Sequence, residues 1–281
     1  MSLVPFPGAK SNDPVVRHQE VDPLIDEPDD ERDGDGSRMS FLEHLDELRR
    51  RLFVSVAALA VGFGISLFFI DRIFGFIMRP LAATLPPGQK LIYTEPTEAF
   101  LLQLKVAALA GVLVAAPLVL WQLWLFIAPG LYRREKRLAL PFVISASLLF
   151  AAGAAFNHYI MFPVAFKFLG GFRTDYMEFL PRISPVFSLY AQLFLAFGLI
   201  FQMPVLVFTL ARLGLVTAGF LWRNAKYAIL IIFVLSAVIT PTSDPVNQTL
   251  MAAPMALLYF VSIGIAWLFG RRESTGRQET G

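Results

Sequence analysis

Leu52 to Ile70 is a run of 19 residues without a charge. Crossing a hydrocarbon core ~30 Å thick takes about 20 helical residues. A chain in that medium must satisfy its backbone hydrogen bonds internally, which leaves helices and closed barrels. Five more apolar stretches follow, at about 100–127 (interrupted by Gln103 and Lys105), 138–156, 187–211, 227–240 and 250–269. The chain is 56% hydrophobic and 16% charged, too little charge for a soluble domain of this length. Alternating segments of roughly 10 residues, the mark of a membrane barrel, are absent. The expected fold class is therefore an all-α membrane protein with six transmembrane helices. Lys105 is expected to run its stem along the second span and place its ammonium at the interface.

The formal charge of +2 hides two regions. Residues 1–38 hold ten acids and four bases, and residues 39–281 hold twelve acids and twenty bases. The acidic segment is rich in Pro, Gly and Asp and has little to bury, so it reads as a disordered tail. It has no apolar core of the signal-peptide kind. The transmembrane domain then occupies 39–272, with a short tail at 273–281. Bases cluster before span one (Arg49, Arg50, Arg51), between spans two and three (Arg133, Arg134, Lys136, Arg137), between four and five (Arg212, Arg223, Lys226) and after six (Arg271, Arg272). Both termini are therefore expected in the cytoplasm. There is no cysteine, and His18, His44 and His158 are scattered. No metal, cofactor or nucleic-acid partner is expected.

Three details refine the spans. Span five, Tyr227–Thr240, has 14 residues, about 21 Å of helix, unless its start extends back past Arg223 through Leu221–Trp222. The stretches IFGFIMRPLAATL, Phe162–Leu169 and Met177–Leu180 are too short to cross and are expected as interfacial helices. Pro117, Pro141, Pro204 and Pro254 fall inside spans and imply bends, as in a curved, concave wall.

The segment FLEHLDELRRR, Phe41–Arg51, sets three carboxylates beside three arginines. Ser40 and Glu43 fit a capping box. Leu42, Leu45, Leu48 and Leu52 make an apolar stripe at helical period, so an amphipathic helix is expected to feed span one. Asp46 precedes Arg50 by four and Glu47 precedes Arg51 by four. Each could be an ordinary helical ion pair worth ~0.2–0.5 kcal/mol. Glu135 is the single acid of GLYRREKR, which follows the aromatic-rich WQLWLFIAPG. Two exposed carboxylates beside aromatic surface would also suit a peptide bearing guanidinium groups followed by apolar residues, since carboxylate and guanidinium pair in a planar fork.

The stretches FLEHLDELRRR, PTEAF, WLFIAPGLYRREKR, FGLIFQMPV and TPTSDPVNQTLMAAPM occur in order across residues 39–270. Taken together they resemble the TatC family, the multispanning signal-receptor subunit of the twin-arginine protein translocase. The resemblance implies a non-enzymatic protein of the bacterial cytoplasmic membrane. It would bind twin-arginine signal peptides through Glu47 and Glu135, with Phe126 flanking. It would contact a partner helix through Gln202 and keep a rim at Pro80, Asp244 and Gln248. It further implies single-span TatA- and TatB-type partners, an oligomer within the lipid bilayer, and export of folded proteins on the proton-motive force. Two positions depart from the family pattern: Gln202 and Phe260 stand where it commonly has glutamates. A secondary transporter is the rival class, but it calls for ionisable residues at the midplane, where this chain offers Gln202. An intramembrane enzyme could draw on Ser184, Ser188 and Asp244, with no matching base.

Overall fold

The computed structural model describes residues 32–85, 89–127, 139–171, 179–240 and 244–270, with side chains described from Leu45 onward. The chain divides into two compact units, Met1–Leu45 and Asp46–Gly281. In the first, the described residues belong to helix α1 (Arg32–Phe68). Ser40 therefore stands inside a helix already under way, and the expected capping box at Ser40 and Glu43 does not start it. The remaining observations concern the second unit.

There α1 is followed by α2 (Ile70–Thr84), α3 (Pro96–Ile127), α4 (Ala139–Phe156), a π-helical turn (Asn157–Met161) and α5 (Phe162–Gly170). Next come α6 (Ile183–Ile200), α7 (Met203–Arg212), α8 (Ala218–Arg223), α9 (Ala225–Ile239) and α10 (Pro245–Phe269). Five stretches are long and apolar enough to cross a membrane: Leu45–Phe68, Pro96–Phe126, Leu140–Gly170, Ile183–Arg212 and Pro245–Phe269. The molecule is an all-helical, multi-pass membrane protein. The short fifth span expected from sequence is α9, with 15 residues, about 22 Å long. It does not extend back past Arg223: Asn224 leaves helical geometry between α8 and α9, and its Nδ2 donates to Phe220 O at 2.9 Å.

The expected interfacial helix at Phe162–Leu169 is instead the continuation of span three. The π turn joins α4 to α5 without a gap, with the Phe162 amide donating to Asn157 O. The wider turn accepts Pro163, whose ring would otherwise press on the carbonyl four residues back. It also turns Asn157 and His158 inward. His158 Nδ1 lies 3.1 Å from Tyr190 Oη, and its ring stacks on Phe76 of α2 at 4.3 Å. The expected interfacial helix at IFGFIMRPLAATL is α2. Met177 lies outside the described residues, and Phe179–Leu180 are not helical. Span four breaks at Phe201–Gln202, where Pro204 enters the first turn of α7. Pro141 lies in the first turn of α4, where it imposes no bend.

The main core packs Tyr190, Leu193 and Phe197 of α6 against Phe150 of α4, Phe162 of α5, and Leu102 and Val106 of α3. Water-driven collapse does not hold transmembrane helices together; close packing does, and small residues allow it. At Gly62 in α1 an added Cβ would lie 2.6 Å from Gly111 O in α3. At Gly153 in α4 it would lie 2.5 Å from Phe197 O in α6. Gly64 has open space around it. Gly62→Ala is therefore expected to destabilise the purified protein by about 1–3 kcal/mol through forced separation of α1 and α3, while Gly64→Ala is expected to leave its thermal unfolding in detergent unchanged or slightly improved. Equal effects of the two would remove the close-contact argument.

Candidate functional site at the basic end

The antiparallel run of α1 against α3 builds the site. Arg51 lies eleven residues before Gly62, and Gln122 lies eleven residues after Gly111. The register set where the glycines meet therefore brings these side chains together three turns away, with Arg51 Nη1 3.5 Å from Gln122 Oε1. Arg51 Nε donates to Glu47 Oε1 at 3.0 Å, and Nη2 contacts the same oxygen. Arg51 and Glu47 are both partly buried. Phe126, half-buried, follows Gln122 by four, one turn further along the same face of α3. Glu47, Arg51, Gln122 and Phe126 thus converge on one end of the bundle. Asp46 and Arg50 are exposed, and no ion pair joins them. Glu135 lies outside the described residues.

The same end collects other elements. Trp124 packs on Phe142 at the start of α4, with ring centroids 4.2 Å apart. Phe142 packs against Val205 of α7, and Phe208 meets Phe269 at the close of α10. Lys105, ten residues into α3 and toward the opposite end, is exposed and has no carboxylate partner among the described residues.

Gln202 sits in the break between α6 and α7 and is 8% exposed. Its Nε2 donates to Ala146 O of α4 at 3.1 Å. This bond ties the start of α7 to α4 beside the interrupted turn. Phe260 is exposed and packs edge-on to Trp222, with centroids 6.4 Å apart.

The expected rim residues lie at the opposite end. Pro80 occupies the last turns of α2, beside the fully buried Leu81. Asp244 is the N-cap of α10, its Oδ1 accepting from the Asn247 amide at 2.8 Å, with Pro245 in the first turn. Gln248 Nε2 donates to Phe233 O of α9 at 2.9 Å. These roles are local and structural: a helix start and a staple between α9 and α10. Asp-Pro ahead of an apolar run is a helix-start signal, and it could have identified the cap from sequence.

One element of this end carries no role in the sequence analysis. Glu98, from PTEAF, receives the Thr94 amide at 2.9 Å on one oxygen and Arg182 Nη2 at 2.9 Å on the other. Beside it Ile92 accepts from the Ile183 amide at 2.9 Å and donates to Pro181 O at 3.2 Å. The two connections between spans are tied by one carboxylate and one short parallel bridge. Residues 84 apart in the chain have no periodicity to betray such a pair. Ser188 donates to Ser184 O at 3.0 Å, a packing role, and no group of three or more metal-binding side chains occurs among the described residues.

Long apolar helices, a carboxylate–guanidinium pair at the basic end and capped, stapled turns at the other define a multi-pass membrane protein with a polar cluster at one end. The TatC family model, described as Sec-independent protein translocase protein, matches residues 43–254. The Sec-independent protein translocase protein TatC of Koribacter versatilis is 47% identical over 244 residues, covering 86% of this chain and 90% of the relative. That of Desulforapulum autotrophicum is 43% identical over 239 residues, covering 85% and 88%. A crystal structure of the twin arginine translocase receptor TatC in DDM superposes with a TM-score of 0.71 at 36% identity, covering 79% of this chain and 99% of that one. The chain belongs to the TatC family, a family of translocase components and not of enzymes.

Replacing Asp244 with Ala removes the N-cap of α10 and is expected to cost about 0.5–2 kcal/mol, read as a lower unfolding temperature in detergent. Asp244→Asn, which can still cap, is expected to lose at most a small part of this. An unchanged melting temperature for both would argue against a capping role.

Proposed function

We propose that this chain is the signal-receptor subunit of a twin-arginine translocase, seated in the cytoplasmic membrane with both termini in the cytoplasm. The observation that supports this reading most is the state of Glu47. Its carboxylate already holds a guanidinium, on a helix locked by register against Gln122 and Phe126. Arg51 in this role is a stand-in for a peptide arginine. An i,i+4 pair is worth only ~0.2–0.5 kcal/mol, so exchanging it costs little. The incoming group gains a bidentate, partly desolvated contact of greater strength. Glu135, in the connection between α3 and α4, supplies the second carboxylate for a second arginine. Phe126 lies beside the apolar part of the signal.

Lysine cannot reproduce the fork, which accounts for a requirement for paired arginines. Single-span TatA- and TatB-type proteins are the partners, an oligomer within the bilayer is the working form, and the proton-motive force drives passage of folded cargo. A partner's polar side chain could engage Gln202 only by displacing its bond to Ala146 O. With no ionisable group at Gln202 or Phe260, those positions cannot carry a proton switch.

The test is photocrosslinking of a twin-arginine signal peptide to probes placed at Phe126 and Glu135, with a paired-lysine peptide as control. Strong labelling by the first and weak labelling by the second is expected; equal labelling would overturn the site. Glu47→Gln is expected to weaken peptide binding by ~1.5–3 kcal/mol, roughly ten- to a hundredfold. Glu47→Arg is expected to be worse, because it adds repulsion, and an equal loss in the two would argue against an ion pair. Glu135→Ala is expected to abolish export of a twin-arginine substrate while the protein stays in the membrane. Normal export by that variant would remove Glu135 from the site.

A further inference from the structure

Arg212 is the last residue of α7, at the basic end. Its guanidinium carbon stands 5.6 Å from the centroid of the Phe208 ring and 6.0 Å from that of Phe269. Its Nε is buried without a hydrogen-bond partner, and no described carboxylate pairs with it. The same two rings line a groove of about 320 Å³ between α4, α7 and α10, with Pro141, Phe142, Leu149 and Pro204 among its walls. Ser145 also lines it, but its hydroxyl is spent on Phe142 O at 2.8 Å. The groove is therefore apolar along its length, and Arg212, though not part of its lining, stands over two of the rings that line it.

Its depth in the bilayer follows from its neighbours. Arg212 and Phe269 are helix-terminal, and Trp267 on the same turn as Phe269 is 76% exposed. Exposed indoles collect at the level of lipid headgroups. The two aromatic faces hold the guanidinium in place without neutralising it, and a buried donor left unpaired is costly.

We propose that Arg212 and this groove form a binding site for an anionic phospholipid, with the phosphate on the guanidinium and one acyl chain along the groove. A phosphate offers acceptors in the fork geometry an arginine presents. Basic pockets between transmembrane helices are suited to such headgroups. A partner helix ~10–12 Å across is too thick to enter a space of this size. The site is independent of the signal-receptor reading, since neither Arg212 nor the residues lining the groove have a role in that proposal.

The test is native mass spectrometry of the full-length purified protein titrated with phosphatidylglycerol and with phosphatidylcholine of the same acyl chains. Phosphatidylglycerol is expected to bind about tenfold more tightly, as one charge-assisted contact allows. Arg212→Gln is expected to bring the two lipids within about twofold of each other without changing phosphatidylcholine binding. Ser145→Trp, which fills the groove and keeps the cation, is expected to weaken both. A preference that survives Arg212→Gln, or undiminished binding to Ser145→Trp, would overturn the proposal. So would competition by soluble glycerol phosphate as effective as by the lipid, because the acyl chain would then play no part. A crosslink from Phe208 to a single-span protein in native membranes, in place of lipid, would assign the groove to a partner and equally overturn it. Should one variant fail to fold, the other still decides.

Discussion

Gly62 against Gly111 is the contact on which the basic end depends. Two helix backbones approach there to a distance no side chain permits, and in a medium where apolar surface gains nothing by leaving lipid, such packing is the available glue. An antiparallel pair locked at one point has its register fixed elsewhere. Eleven residues on, that register brings Arg51 to Gln122 and places Glu47 one turn behind. The polar cluster is a consequence of apolar packing in mid-membrane.

The same economy governs the interruptions. Helix α4 passes into α5 through a π turn, α6 into α7 through a break, and α8 into α9 through Asn224. Each places polar atoms where hydrocarbon offers them nothing, and each is met in part from inside the chain, although Asn157 Oδ1 in the π turn is buried without a hydrogen-bond partner. The π turn hands His158 to Tyr190 and Phe76. Beside the break at Pro204, Gln202 bonds Ala146 O of α4. At the end of α8 the Asn224 side chain bonds Phe220 O.

Much of this was legible in the residues. The apolar runs locate the five long apolar helices, and the 15-residue length of α9 matches the short fifth span because Thr240 and Asn224 end it where the apolar pattern ends. Glu47 and Phe126 fall at one end of the described bundle. What periodicity could not reveal were properties of the interruptions. A π turn changes hydrogen bonding without changing composition, so Phe162–Leu169 looked like a separate piece. A polar residue in an apolar run can meet an external partner or a backbone carbonyl of its own chain, and periodicity does not show that the Gln202 amide bonds Ala146 O of α4. The Glu98–Arg182 tie was invisible for a different reason: it joins two connections, and connections carry no period.

A receptor that must release its ligand cannot hold its binding carboxylate bare at a membrane interface, where an unpaired charge is costly. Nor can it bury that carboxylate in a strong internal pair. Glu47 sits between these limits. Its partner is on its own helix one turn away, partly exposed, and further shared with Gln122. A shared guanidinium is a weak competitor, since Arg51 freed from Glu47 still has Gln122 to bond. In the proposed exchange with a peptide arginine, Arg51 gives up its two contacts to Glu47 and keeps Gln122, and the incoming fork replaces them on the carboxylate, which favours arginine over the point charge of lysine. Arg212 shows the contrast at the same end of the molecule. Its guanidinium is held by two rings with no carboxylate among the described residues to exchange, an arrangement suited to holding an acceptor continuously instead of passing it on.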